Sequence, residues 1–107
     1  EIEDMGRREK RELANRLEVL LMHLLKWQFQ PNLRSRSWQL TVKEQRLRLA
    51  KHLAENPSLK ALLPEYLDSA YQLATLSAEK ETGLDSFPDQ CPYTLEQIFD
   101  QTFLPEA

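Results

Sequence analysis

The stretch Val19–Leu25, VLLMHLL, decides how the chain folds. It is apolar nearly all the way round, and a helix of that composition must be hidden on every side by the rest of its domain. Working back from it, Leu13, Leu17, Leu20, Leu21 and Leu24 recur at steps of three and four and fall within about one quadrant of a helical wheel. Met5 extends the spacing toward the N-terminus, while Arg7 to Glu12, of mixed charge, forms a solvated face. The pattern predicts one long helix from residue 1 to about 29, its second half the hub of the domain. Pro31 closes it, because proline lacks an N–H and disfavours a helical conformation at Gln30.

Outward from that hub, a short basic connection from Pro31 to Arg36 leads to a second helix. It starts at Ser37, or at Thr41, which with Glu44 makes a capping box, and runs to about Glu55. Val42, Ala50 and Leu53 are expected inward, and Lys43, Arg46, Arg48 and Lys51 outward. Asn56 caps a short turn through Leu62, with Pro57 at its first position. Pro64 opens a third helix reaching about Thr82, with Leu67, Ala70, Tyr71, Ala74 and Ala78 on one stripe and Gly83 as the left-handed terminator. The small alanines allow that stripe to approach Leu17–Leu24 closely. Beyond lies LDSFPDQCPYTLEQIFD, where Pro88 and Pro92 impose an extended path. Thr94 and Gln97 form a second capping box for a last helix, Leu95 to Asp100. Phe87, Tyr93, Ile98, Phe99 and Phe103 are the expected anchors of this cover. The expected fold is all-α: a small bundle of three long helices, a short C-terminal helix and a proline-rich covering segment.

Composition narrows the chemistry. The chain has 107 residues, 29% of them charged, with two Gly, six Pro and one Cys, as fits one small domain over residues 1–107. Gly6 and Gly83 alone cannot build a glycine-rich phosphate loop. One Cys and two His without CxxC, HExxH or ExxH spacing leave too few ligands for zinc, so no metal and no cofactor is expected. No apolar run approaches the roughly 20 residues of a membrane span. The acidic start, Glu1, Ile2, Glu3 and Asp4, is unlike a signal peptide. A lone Cys cannot pair internally, so the expected setting is the reducing cytoplasm.

Net charge is −3, but unevenly placed. Residues 1–51 hold twelve Lys or Arg against seven Asp or Glu, and residues 52–107 hold two against ten. The reversal fits a basic face offered to an anionic partner or, the favoured reading, a basic helix pair packed beside an acidic third helix. Dedicated nucleic-acid modules usually carry a basic total.

Taken together, EIEDMGRREKRELANRLEVLLMHLLKWQFQP, RSRSWQLTVKEQR, NPSLKALLPEYLDSAYQLA and ETGLDSFPDQCPYTLEQIFD resemble domain-of-unknown-function family twenty-nine. The resemblance covers nearly the whole chain in the right order. It implies an all-helical protein of bacterial, largely cyanobacterial, origin, and it implies no activity, cofactor or catalytic residue. Members of the family usually have a further segment before the position of Glu1. The chain therefore reads as a fragment, with an apolar groove expected where that segment would pack.

Three groups of side chains could carry chemistry. His23 is polar within VLLMHLL, and Arg16 lies two helical turns earlier on almost the same face. An Arg followed after six residues by His resembles the loose signature of helical ribonucleases of prokaryotic defence systems, in which the pair orients and cleaves a phosphodiester. The polar residue usual after that Arg is here Leu17. The structural alternative, which is favoured, has His23 donating to a backbone carbonyl or a neighbouring carboxylate. The second group, Lys26, Trp27, Arg34, Arg36 and Trp38, sets two indoles among cations and could bind a phosphate or a base by charge and stacking. It could equally pack the indoles at the helix ends with the cations in water. The third, Glu1, Asp4, Glu9 and Glu12, lacks the Glu and His three apart that completes a carboxylate metal site. Interleaved with Arg7, Arg8, Lys10 and Arg11, it reads as a surface strip with pairs such as Arg8 with Glu12. Cys91 has no basic neighbour in sequence to activate it.

These readings converge on a non-enzymatic protein-interaction or dimerisation module, with an unknown protein or a second copy as partner. The alternative is a metal-independent ribonuclease or RNA-binding protein using Arg16, His23 and the basic 26–38 segment. Nucleic acid is the less favoured partner, and no membrane is expected.

Overall fold

The leucines that open the argument lie where their spacing puts them. In the computed structural model, which describes residues 2–106 and side chains from Gly6 onward, helix α1 runs Ile2–Phe29. Met5, Glu1 and Asp4 lie outside the described side chains. Leu13, Leu17, Leu20, Leu21, Leu24 and Leu25 are fully excluded from water, and each contributes about 1.5–3 kcal/mol relative to exposure. Arg7, Arg8, Lys10 and Arg11 are exposed, so α1 is solvated at its start and central from Leu13 onward.

A single 3-10 turn, Pro31–Leu33, leads to helix α2, Arg36–Glu55. Its cap is Ser35, whose hydroxyl accepts from the Trp38 amide at 3.1 Å. The helix thus begins before both expected starts. The Thr41–Glu44 capping box is not used, because Thr41 already sits more than a turn inside the helix. The inward stripe is Val42, Arg46, Leu49 and Leu53. Ala50, expected inward, is exposed, and Arg46, expected outward, is 1% exposed.

A second 3-10 segment, Pro57–Leu62, precedes helix α3, Leu63–Thr82. Asn56 does not cap it by its side chain; that amide instead donates to the His52 carbonyl at the end of α2. Ala70, Tyr71, Ala74 and Ala78 are buried on α3, and α3 packs along α1 more extensively than any other pair of elements does. Small side chains let the two axes approach, and the alanine stripe meets the leucine stripe. Gly83, at φ 77°, ends α3 in the left-handed region that a Cβ disfavours. Helix α1 lies between α2 and α3, which barely touch each other.

The remaining side of the core is closed by residues 84–106. Thr94 and Gln97 form both halves of a capping box for helix α4, Leu95–Phe99. Phe87, Tyr93 and Ile98 are buried, with Phe99 and Phe103 packed partly beside them. Phe87 stands edge-on to Phe29, centroids 5.2 Å apart. Side chains of the helices tie the cover down through its carbonyls. Tyr71 Oη donates to Pro88 at 2.6 Å, Arg46 Nε to Ile98 at 2.7 Å and Arg46 Nη2 to Gln97 at 3.1 Å. An all-helical bundle results, with no strand among the described residues. None of the described helices is long and apolar enough to cross a membrane.

Candidate functional site

Arg16 and His23 share a helix but not their surroundings. Arg16 turns toward α2; its Nε donates to Glu12 on α1 at 2.9 Å and its Nη1 to Gln45 on α2 at 3.3 Å. Glu12 therefore pairs with the residue one turn after it rather than with Arg8, and this hydrogen bond holds its carboxyl below the usual value. His23 turns the other way and donates from Nδ1 to the Val19 carbonyl at 2.9 Å, with Lys26 and Glu81 nearby. Burial pulls its imidazole below the ordinary 6.5, which favours the neutral ring. The two groups do not converge on one space.

Two of the three cations of the 26–38 segment, Lys26 and Arg34, are engaged with its own aromatic rings. Lys26 Nζ sits 4.7 Å from the Trp38 centroid and 2.8 Å from Glu81. Arg34 lies 4.8 Å from the Trp27 centroid, donates to the Trp27 carbonyl at 2.8 Å and reaches the Pro105 carbonyl at 3.4 Å. One face of each indole is thus already covered by a cation. Arg36 stands exposed beside them.

A cleft between α1 and α2 contains a group that sequence reasoning missed. His52, 5% exposed, donates from Nε2 to the Glu9 carbonyl at 2.9 Å, because a carbonyl can only accept. Its Nδ1 therefore faces Glu12, 3.8 Å away. Ligand atoms of Glu9, Glu12 and His52 lie within 4.8 Å of one another. Two carboxylates and an imidazole could hold a divalent ion, but Arg16 occupies Glu12 and the same cleft is lined by Arg48 and Lys51. Those three cations oppose further positive charge. The arrangement serves better as a hydrogen-bonded joint between α1 and α2, through His52 to the Glu9 carbonyl and Arg16 to Gln45. Cys91 is half-buried, donates toward the Tyr93 carbonyl at 3.4 Å and is pushed up by burial, which keeps the thiol protonated.

Arg46 was the second group missed, and a signal for it exists. Val42, Arg46, Leu49 and Leu53 follow steps of four, three and four, the spacing of a buried stripe.

The outer face of α2 is open to solvent. Leu40 and Leu47 are 46% and 55% exposed. With Lys43 and Glu44 they occupy positions i, i+3, i+4 and i+7, the diamond of four residues that receives a knob from a facing helix, and a shallow depression lies over them. Arg36, Lys43, Arg48 and Lys51 flank the leucines. Among the described residues only Arg48 of these four has an ion pair, with Glu44 one turn away.

Neither a curated protein nor a solved structure matches the chain. The family described as domain of unknown function DUF29 matches residues 1–104, and the chain belongs to that family.

Proposed function

We propose that the chain is a non-enzymatic protein-interaction module that docks an acidic, partly apolar partner surface, such as an acidic amphipathic helix, through the outer face of α2. The observation that carries this reading is the four-residue diamond Leu40, Lys43, Glu44 and Leu47, open to solvent at its centre. Leu40 and Leu47 lie seven residues apart, two turns of one helix, so both project from one face with Lys43 and Glu44 between them. Leucines more than 40% exposed and in register on one helix mark a surface awaiting cover better than scattered apolar residues do. The flanking cations select the sign of the partner, because a basic helix would bring like charges together over a partly desolvated contact.

A synthetic helix with leucines at heptad spacing and flanking glutamates is the probe, titrated into isotopically labelled protein. Amide shifts confined to residues 36–51, and lost in Leu47→Asp, support the reading. Absence of binding, or shifts centred on the α1–α2 cleft around His52, would remove it.

A further inference from the structure

Because α1 separates α2 from α3, the outer faces of these helices look to different sides of the molecule. The two sides carry opposite charge. On one stand Leu40 and Leu47 among Arg36, Lys43, Arg48 and Lys51. On the other, a groove of about 300 Å³ runs between α3 and the covering segment. Leu76, Phe87 and Pro88 supply its apolar lining, Glu79, Asp85 and Asp89 its charge, and no Lys or Arg lines it. None of these three carboxylates has an ion pair among the described residues. Leu76 is 56% exposed at the groove, and Leu73, on the preceding turn of α3, is 53% exposed.

The opposed halves of the sequence neutralise each other only in places inside one molecule, at Lys26 with Glu81 and through the attraction between Arg46 and Asp100. Among the described residues, Lys26 with Glu81 is the one Lys or Arg ion pair that joins the basic half to the acidic half. The cations of α2 and the acids of the groove are left facing outward.

From this complementarity we infer that the occupant of the α2 face is the acidic α3 groove of a second copy of the chain. The inference rests on the docking reading above and names its partner. A leucine of α2 enters the groove beside Leu76 and Phe87, while Lys43 and Lys51 approach Asp85 and Asp89. Each copy offers two different faces, so the contact is head-to-tail rather than two-fold. One helix in one groove lies at the small end of specific interfaces, so the association is reversible and follows concentration. Its charge-driven part weakens as salt shortens the range of attraction.

The test uses light scattering with size-exclusion chromatography on the chain and two charge reversals at exposed positions, K43E/K51E on α2 and D85K/D89K at the groove. Circular dichroism checks that each variant remains helical. The unaltered chain should rise above its monomer mass of 12.6 kDa with concentration, less so at high salt. Each variant alone should stay monomeric. Mixed one to one, they should associate again, because the unaltered α2 face of one meets the unaltered groove of the other and the two reversed faces are themselves opposite in charge. Self-association of D85K/D89K like that of the unaltered chain would overturn the inference in favour of a two-fold α2 contact. A strict monomer at all concentrations would overturn it too. If that monomer still binds the acidic probe helix, the docking reading stands and only the second copy is excluded; if it does not, both fall.

Discussion

Arg46 Nε donates to the backbone carbonyl of Ile98 across 2.7 Å in a part of the molecule closed to water. Its Nη2 takes the Gln97 carbonyl at 3.1 Å, so one guanidinium from α2 serves two carbonyls in the last turn of α4. A cation is favoured there, because carbonyls at a helix C-terminus lack intrahelical donors. Arg46→Met keeps most of the stem and removes the donors. It should cost about 2–3 kcal/mol, the value of a charged hydrogen bond whose buried partner, the Ile98 carbonyl, is left unpaired, while the Gln97 carbonyl keeps the Asp100 amide. A lowered urea midpoint together with faster amide exchange over residues 95–100 checks it; unchanged exchange there would show that the cover holds without this bond.

Tyr71 makes the equivalent attachment from α3, donating to Pro88 at 2.6 Å. Tyr71→Phe removes that donor and leaves the ring in place. A loss of about 1 kcal/mol is expected, with quicker proteolysis between residues 84 and 93 than in the parent chain.

Gly83 has open space where a Cβ would stand, so only its backbone conformation resists substitution. Gly83→Ala should lose about 1–2 kcal/mol. Gly83→Asn should lose less, because asparagine tolerates the left-handed region better. Thermal melts of the two variants side by side measure the difference.

Ala74 is fully buried on the α3 stripe that meets the leucines of α1. Enlarging it tests whether the helices are as close as the small side chains imply. Ala74→Leu should destabilise by about 1–3 kcal/mol through overpacking, whereas the same change at exposed Ala50 should fall within about 0.5 kcal/mol of the parent.

Acid should weaken the fold in two stages. Burial depresses the His23 value below 6.5, so the unfolded chain takes up that proton before the folded one does. Stability is complete above the unfolded value and falls as pH drops through 6.5 toward the folded value. Glu12, held low chiefly by the hydrogen bond from Arg16, has the same sign, and its contribution fades as pH falls through 4.5 toward its folded value. His23→Gln should flatten the upper stage and leave the lower one. An identical pH dependence in parent and variant would exclude this role for His23.

Local pattern made the helices legible, because each is set by spacing and punctuation within a few residues. Leu13 to Leu24, Pro31, Pro57, Gly83 and the Thr94–Gln97 box all act at that range. The partners of Arg46 and His52 escaped because they lie 52 and 43 residues away, at Ile98 and Glu9, although the spacing of Arg46 with Val42, Leu49 and Leu53 marks its burial. Nothing in the sequence near a polar side chain announces a carbonyl brought to it by folding. Thr41 misled for the opposite reason: its capping pattern is sound, but Ser35 supplies the start earlier, and a helix needs only one. The cations and indoles of residues 26–38 were legible as a cluster. That Lys26 covers Trp38, and Arg34 covers Trp27, depends on the turn at Pro31–Leu33 folding them back on each other.

The covering segment is fastened mostly by donors that grip its main chain. Main-chain oxygens persist through nearly any substitution, so positions such as Ile98, Gln97 and Pro105 can exchange side chains without surrendering those attachments. The cover's own buried Phe87, Tyr93 and Ile98 share the work of holding it with Arg34, Arg46 and Tyr71, far upstream of it. The C-terminal cover can thus be loosened by mutations that lie elsewhere in the chain as well as by those within it.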